Sequence, residues 1–242
     1  MSEARQLLAA LIIPALNEEP VIGATLHAIP AGVFRLVVVA DNGSTDRTAE
    51  IARKAGALVV VEPERGYGAT CLTALAALPV DIDTLVFLQA DLSEDPTEVP
   101  ALLDPLERDE ADLVLGSRVL GLAEDGALLP HQAFGNWLAT RLIHLLYGHR
   151  YTDLCAFRAI RRDALERLHL RDRNYGWTVE MQVRALEEGL RVVEVPVSYR
   201  KRVAGVNKVS GNLSASLRAG WVILTTVLRL WWRRRKAHFE LC

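Results

Sequence analysis

Five short, unbroken apolar runs in the first half of the chain limit what it can fold into. LLAALII, RLVVVA, ALVVV, TLVFLQ and DLVLG recur between residues 7 and 116. None alternates polar with apolar, which is the pattern of strands buried on both faces. The stretches between them, Glu19–Ala28, Asp46–Lys54, Ala69–Ala77 and Thr97–Leu106, have helical character. Strand and helix repeated in this way predict a mostly parallel sheet flanked by helices. The chain has 242 residues, half of them hydrophobic, which suits one α/β domain of this length.

The second half reads differently. Ala133–Tyr147 is expected to be an amphipathic helix, with Phe134, Trp137, Leu138, Leu142 and Leu145 near helical spacing. Asp163–Leu168 and Trp177–Glu188 are also read as helices, the latter closed by Gly189. RVVEVPVSY is a strand whose Pro196 places it at an edge or a bulge. Asn212–Trp232 closes the chain as a helix. Its apolar centre, Ala219 to Leu228, is about ten residues, whereas a membrane span needs ~20. The N-terminus lacks the pattern of a signal peptide, because Pro14 and Asn17-Glu18-Glu19 cut its apolar run short.

Formal net charge is −2, so no overall field favours nucleic acid. The three cysteines, Cys71, Cys155 and Cys242, are widely spaced and odd in number, which suits a reducing compartment and suggests no zinc site. The polar signals lie where strands end. Ligands of open α/β sheets bind beyond the carboxyl ends of the strands. Here those ends carry Pro14-Ala15-Leu16-Asn17-Glu18, Asp41-Asn42-Gly43-Ser44 and Gln89-Ala90-Asp91. Each cluster taken alone is equally the polar start of a helix, with Ser44 or Thr45 as an N-cap. Acids and amides recurring on one rim suit a base, a ribose hydroxyl and a cation. No GxxxxGK or GxGxxG cradle is present. A diphosphate here is expected to be neutralised by Mg2+ or Mn2+ on hard oxygen ligands. Gly66-Tyr67-Gly68-Ala69 either starts a helix or lets backbone approach a nucleotide.

IIPALNEE, VVVADNGSTDRT, GYGAT, FLQADLSEDP and LVLGSR, in this order and spacing, resemble glycosyltransferase family 2 with its GT-A fold. YTDLCAFRAIRRDAL, YGWTVEMQVRALEEGLRVVEVPVSY and KRVAGVNKVSG look most like the dolichol- and polyprenyl-phosphate sugar transferases. The resemblance implies that Pro14, Ala15, Glu18, Asp41, Asn42 and Gly68 bind the nucleotide. It implies that Asp91 holds the metal, assisted by Gln89, which stands where the family has a first acid. Arg118 meets sugar or diphosphate, with Arg202 and Lys208 closing over the phosphates. His131 is the one basic residue offered where relatives carry another near the sugar. Glu94 and Asp95 are read as the start of the helix that follows, favoured there by its dipole.

Relatives acting on hydroxyls show Glu-Asp where this chain has Trp177-Thr178. Only Glu180 follows, either as a base or as an anchor for loop cations. A phosphate monoester, with a second pKa of ~6, needs charge compensation more than a base. Arg158, Arg200, Lys201, Arg202 and Lys208 are expected to supply it. WVILTTVLRLWWRRRK suits a helix lying at a membrane surface or against a membrane protein, and equally a core helix with a solvated basic end.

The expectation is a single domain with residues 7–118 binding nucleotide sugar, 119–211 the acceptor, and 212–242 forming an amphipathic helix and basic tail. Its implied activity is inverting hexose transfer from a UDP- or GDP-sugar to polyprenyl or dolichyl phosphate, peripheral to the cytoplasmic membrane face. A soluble hydroxyl acceptor and a non-catalytic sugar-nucleotide-binding protein are the alternatives.

Overall fold

The computed structural model describes residues 7–203 and 213–240, with side chains of the last helix described over 218–236. The five apolar runs form β1 (Ala9–Ala15), β2 (Leu36–Asp41), β3 (Leu58–Val61), β4 (Thr84–Phe87) and β5 (Leu113–Ser117). They are joined by α1 (Ile22–His27), α2 (Thr48–Lys54), α3 (Tyr67–Ala76) and α4 (Val99–Glu107), the last entered through a 3-10 turn at Pro96–Glu98. Then come α5 (Pro130–Tyr147), β6 (Arg158–Arg161), α6 (Arg162–Leu168), α7 (Trp177–Glu187), β7 (Val192–Pro196) and α8 (Leu213–Glu240).

The seven strands form one sheet of order β3-β2-β1-β4-β6-β5-β7. All pairings are parallel except those of β6, which runs antiparallel to β4 and β5. Successive residues of each strand face opposite layers. Ala10, Ile12, Val38 and Phe87 pack with α3, α7 and α8, whereas Leu11, Ile13, Val39 and Val86 pack with α1, α2 and α4. Fully burying each large apolar side chain contributes about 1.5–3 kcal/mol, so both layers are needed to hold the sheet. β7 is an edge strand and ends in Pro196, which agrees with the sequence reading.

β6 was not legible as a strand. Its sequence is Arg158-Ala159-Ile160-Arg161, and two arginines hide the short apolar run, yet all four residues are buried. The structure buries those charges by bonding them to main-chain carbonyls. Arg161 donates to Leu106 O at 2.6 Å, and Arg158 donates to Thr178 O at 2.9 Å and to Cys155 O.

The apolar face of α5 departs from expectation. Ala139, Thr140 and Ile143 are buried, whereas Phe134 and Trp137 stand 61% and 53% exposed. In α8, Ala219, Thr226, Val227 and Leu230 are buried where the helix packs on α5 and α7, and Trp221 and Trp232 remain 70% and 68% exposed. Among the described residues no helix is long and apolar enough to cross a membrane.

Candidate active site

A cleft of about 420 Å³ opens where β1, β2, β4 and β5 end. The rims of β1 and β2 are stitched together. Asn17, in the left-handed region at φ 49°, accepts from Thr45 N at 2.8 Å, and its own N–H donates to Ser44 Oγ at 2.9 Å. Ser44 and Thr45 therefore do not cap α2. The N-cap is Arg47, and the residue before it, Asp46, accepts from Thr48 N at 3.0 Å. The stitch leaves Pro14, Ala15 and Glu18 lining the cleft.

Asp41 is buried behind this wall, where both carboxylate oxygens receive Ser44 N. It does not line the cleft, because the turn after β2 folds back onto it. Asn42 does line it, but its amide donates to Glu62 O and Glu64 O and accepts from Gly66 N, tying β2 to the loop before α3. Gly68 is needed for packing and does not line the cleft. A Cβ there would lie 2.0 Å from Asp172 O, so only glycine lets the 172–174 segment approach. That approach brings Asn174 and Tyr175 to the cleft wall.

Asp91 is 3% exposed. One oxygen accepts from Ser93 N at 3.0 Å and Ser93 Oγ at 2.6 Å, and the other pairs with Arg202 Nη2 at 2.6 Å. Arg202 Nη1 reaches Glu18 Oε1 at 3.3 Å, so one guanidinium links the rims of β1 and β4 across the cleft. Gln89 lines the cleft beside them.

Glu94 corrects the sequence reading. It is not a helix-start residue but is buried under the β4 rim, accepting from Gln89 N at 2.9 Å and Phe157 N at 3.1 Å. Asp95 caps the turn, accepting from Thr97 N at 3.0 Å. Burial, with Asp91 nearby, pushes the Glu94 carboxyl from 4.5 up to about 7. The folded chain then holds a proton that the unfolded chain releases near pH 4.5. Stability from this group is fully present below that pH and is lost as pH rises through about 7. Denaturant titrations at pH 5 and pH 8 should differ by a few kcal/mol from this source, and Glu94→Gln should shrink the difference. An unchanged difference in the variant would place the proton elsewhere.

Arg118 follows β5 and lines the cleft. Asp153 holds it in a fork, Nε to Oδ2 and Nη2 to Oδ1, both at 2.7 Å, and also accepts from Arg118 N. Burial lowers the guanidinium's pKa, but these bonds outweigh it and hold the charge firmly. The Tyr199 ring lies 4.9 Å beneath the guanidinium. Glu194 on β7 fixes the segment behind, accepting from Thr152 N and Asp153 N.

Three expected cations or bases lie elsewhere. Arg158 is wholly buried and its guanidinium serves main-chain carbonyls, so it meets no acceptor phosphate. Arg200 is exposed and pairs with Asp95 at 2.6 Å, outside the cleft lining. Glu180 is buried and accepts from Arg171 N and Asp172 N, anchoring the 170–174 segment rather than facing the cleft. Lys208 lies outside the described residues. Asp153, Tyr199, Gln132, Asn174 and Tyr175 were not singled out from the sequence. Only Thr152-Asp153, a polar pair between Tyr151 and Leu154, carried a local signal.

The donor set suits a hard divalent ion only in part. Among the described residues no group of three or more His, Cys, Asp or Glu could hold a metal. Asp91 offers a carboxylate that already neighbours one positive charge, and Gln89 offers an amide oxygen. These fit Mg2+ or Mn2+ when a diphosphate completes the oxygen shell.

The sheet order, the antiparallel β6 and a cleft at the parallel strand ends define a GT-A fold. The chain belongs to glycosyltransferase family 2, matching "Glycosyl transferase family 2" over residues 10–169. It is 42% identical over 210 residues to an uncharacterized glycosyltransferase of Mycobacterium tuberculosis, covering 86% of this chain and 92% of the relative. It is 35% identical to a dolichyl-phosphate hexose transferase of Haloferax volcanii, covering 83% and 86%. Among solved structures, glucosyl-3-phosphoglycerate synthase from Mycobacterium tuberculosis with Mn2+ and UDP-glucose superposes with a TM-score of 0.75 at 25% identity, covering 92% and 78%.

Proposed function

We propose that this glycosyltransferase is an inverting hexosyltransferase that moves a hexose from a UDP- or GDP-sugar to a polyprenyl or dolichyl phosphate at the cytoplasmic membrane face. The observation that carries it is the convergence of Glu18, Asp91, Arg118 and Arg202 on one cleft at the strand ends. In this reading Pro14, Ala15 and Glu18 seat base and ribose, and Asp91 with Gln89 holds Mg2+ or Mn2+. The bound ion supplies neutralisation of the leaving diphosphate. Arg118, held rigid by Asp153, and Arg202 add donors to phosphate oxygens as charge develops there. Residues 7–118 serve the donor, 119–211 the acceptor and 212–242 the membrane or a membrane partner.

Two features favour a phosphate acceptor on lipid. Among the described residues, Glu18 and Asp91 are the only carboxylates lining the cleft, and both face Arg202. Where hydroxyl-transferring relatives have Glu-Asp, Trp177 is buried against Phe87, ring centroids 5.0 Å apart. A phosphate dianion needs no such base. Beside Arg118, Val119, Leu120 and Leu122 are exposed, Leu122 at 82%, and α8 carries Arg233, Arg234, Arg235 and Lys236 directly after Trp232. Apolar and aromatic side chains next to cations suit a headgroup layer. A second reading, a soluble phosphorylated acceptor, draws on the likeness to the same solved synthase bound to phosphoglyceric acid, with a TM-score of 0.74 at 25% identity.

The test offers purified protein labelled UDP- and GDP-hexoses with Mn2+, and either polyprenyl phosphate or phosphoglycerate. Organic-extractable label that requires polyprenyl phosphate is expected. Product formed with phosphoglycerate alone would reject the lipid acceptor.

A further inference from the structure

We propose that the free protein binds no divalent cation appreciably, and that the metal enters only as the chelate of the donor's diphosphate. This rests on the reading of the cleft as a nucleotide-sugar site. Arg202 already occupies Asp91, at 2.6 Å, and its other nitrogen reaches Glu18 at 3.3 Å. Such charge-assisted contacts are about twice as strong as neutral ones. All three side chains are mostly buried, which weakens solvent screening.

An incoming bare ion must therefore displace a guanidinium held by Asp91 and Glu18 together before it reaches either carboxylate. Gln89 offers no further charge, and Arg118 is already matched by Asp153. Displacement would also leave the Arg202 charge without its two carboxylate partners. A metal–diphosphate chelate changes both sides of that exchange. It brings oxygen ligands for the ion, and its negative phosphates receive the guanidinium that leaves Asp91 and Glu18. Metal and nucleotide thus bind with positive coupling, each raising the affinity for the other by the same factor.

Free Mn2+ measured by electron paramagnetic resonance reads this directly, with UDP and GDP as probes. Without nucleotide, wild-type protein should leave Mn2+ free up to ~1 mM. The ternary sample should take up one Mn2+ per chain beyond what nucleotide alone binds, at least about tenfold more tightly. Gln89→Asp supplies the missing charge and Arg202→Gln removes the competitor. Each should let nucleotide-free protein bind Mn2+ at least about tenfold more tightly than wild type, with thermal melts confirming that both are folded. Wild-type Mn2+ affinity that is the same with and without nucleotide overturns the proposal, as do variants that leave nucleotide-free affinity unchanged. If neither UDP nor GDP binds with Mn2+, the donor-site reading itself fails. That outcome is distinct from nucleotide binding normally while Mn2+ also binds alone.

Discussion

Replacing Asp91 with asparagine should lower kcat/KM for the nucleotide sugar by about 100- to 1000-fold, the cost of removing one key stabiliser of developing charge. The substitution is nearly isosteric. Asparagine's oxygen still accepts from Ser93 N, which lies 3.0 Å from the native carboxylate, so the turn after β4 keeps its shape. What is lost is one of the two carboxylate charges lining the cleft, and Gln89 cannot replace it. The new amide would point donors at Arg202, so the 2.6 Å pair is lost as well. Its partners are mostly buried, and a hydrogen bond between charged groups of this kind contributes about 1.5–3 kcal/mol, so melting should fall by roughly 3–12 °C. Steady-state kinetics beside a thermal melt separate the two effects. Activity within about threefold of wild type would remove Asp91 from the chemistry and revive a non-catalytic sugar-nucleotide-binding protein.

Asp153→Asn should be the most destabilising single change near the cleft. Asp153 is 1% exposed and matches Arg118 through two bonds of 2.7 Å. Breaking one side of such a buried pair costs about 3–5 kcal/mol, because the other charge stays buried. At ~2–4 °C per kcal/mol for a chain of this size, melting should fall by roughly 6–20 °C. A double variant, Asp153→Asn with Arg118→Met, should recover much of that loss by removing the stranded charge, while turnover is lost with the guanidinium. Recovery of activity together with stability would mean that Arg118 serves only the fold. If the single variant melts like wild type, the pair is not the clamp described.

Much of the fold could be read from the chain. The five unbroken apolar runs in the first half declared themselves as strands, although β3, at the sheet edge, leaves Leu58 and Val61 exposed. Helices between them followed from spacing, and Pro196 marked an edge because it cannot donate to a ladder. β6 escaped because Arg158 and Arg161 are buried by main-chain carbonyls from other elements, partners no local pattern reveals. The face of α5 was misread because Phe134 and Trp137 at helical spacing look like core positions, and spacing does not say which side of a helix is covered.

The site divides in the same way. The charged set expected at the strand ends held Glu18, Asp91, Arg118 and Arg202, but also Asp41, Glu180, Arg158 and Arg200, which do not line the cleft. The location itself came from residue type at strand termini and from family resemblance. Which cation reaches which oxygen did not. Arg158, Arg200 and Arg202 are equivalent by charge, yet one is buried, one caps Asp95 and one spans the cleft. By itself the sequence determined the parallel sheet and the rim on which its polar groups gather, because burial on two faces and strand polarity are local properties of composition and order. Only the tertiary structure decided that Arg202 meets Glu18, 184 positions away, and that Asp153 locks Arg118. Pairings between charges depend on distance and burial, and both are set by chain segments far apart in sequence.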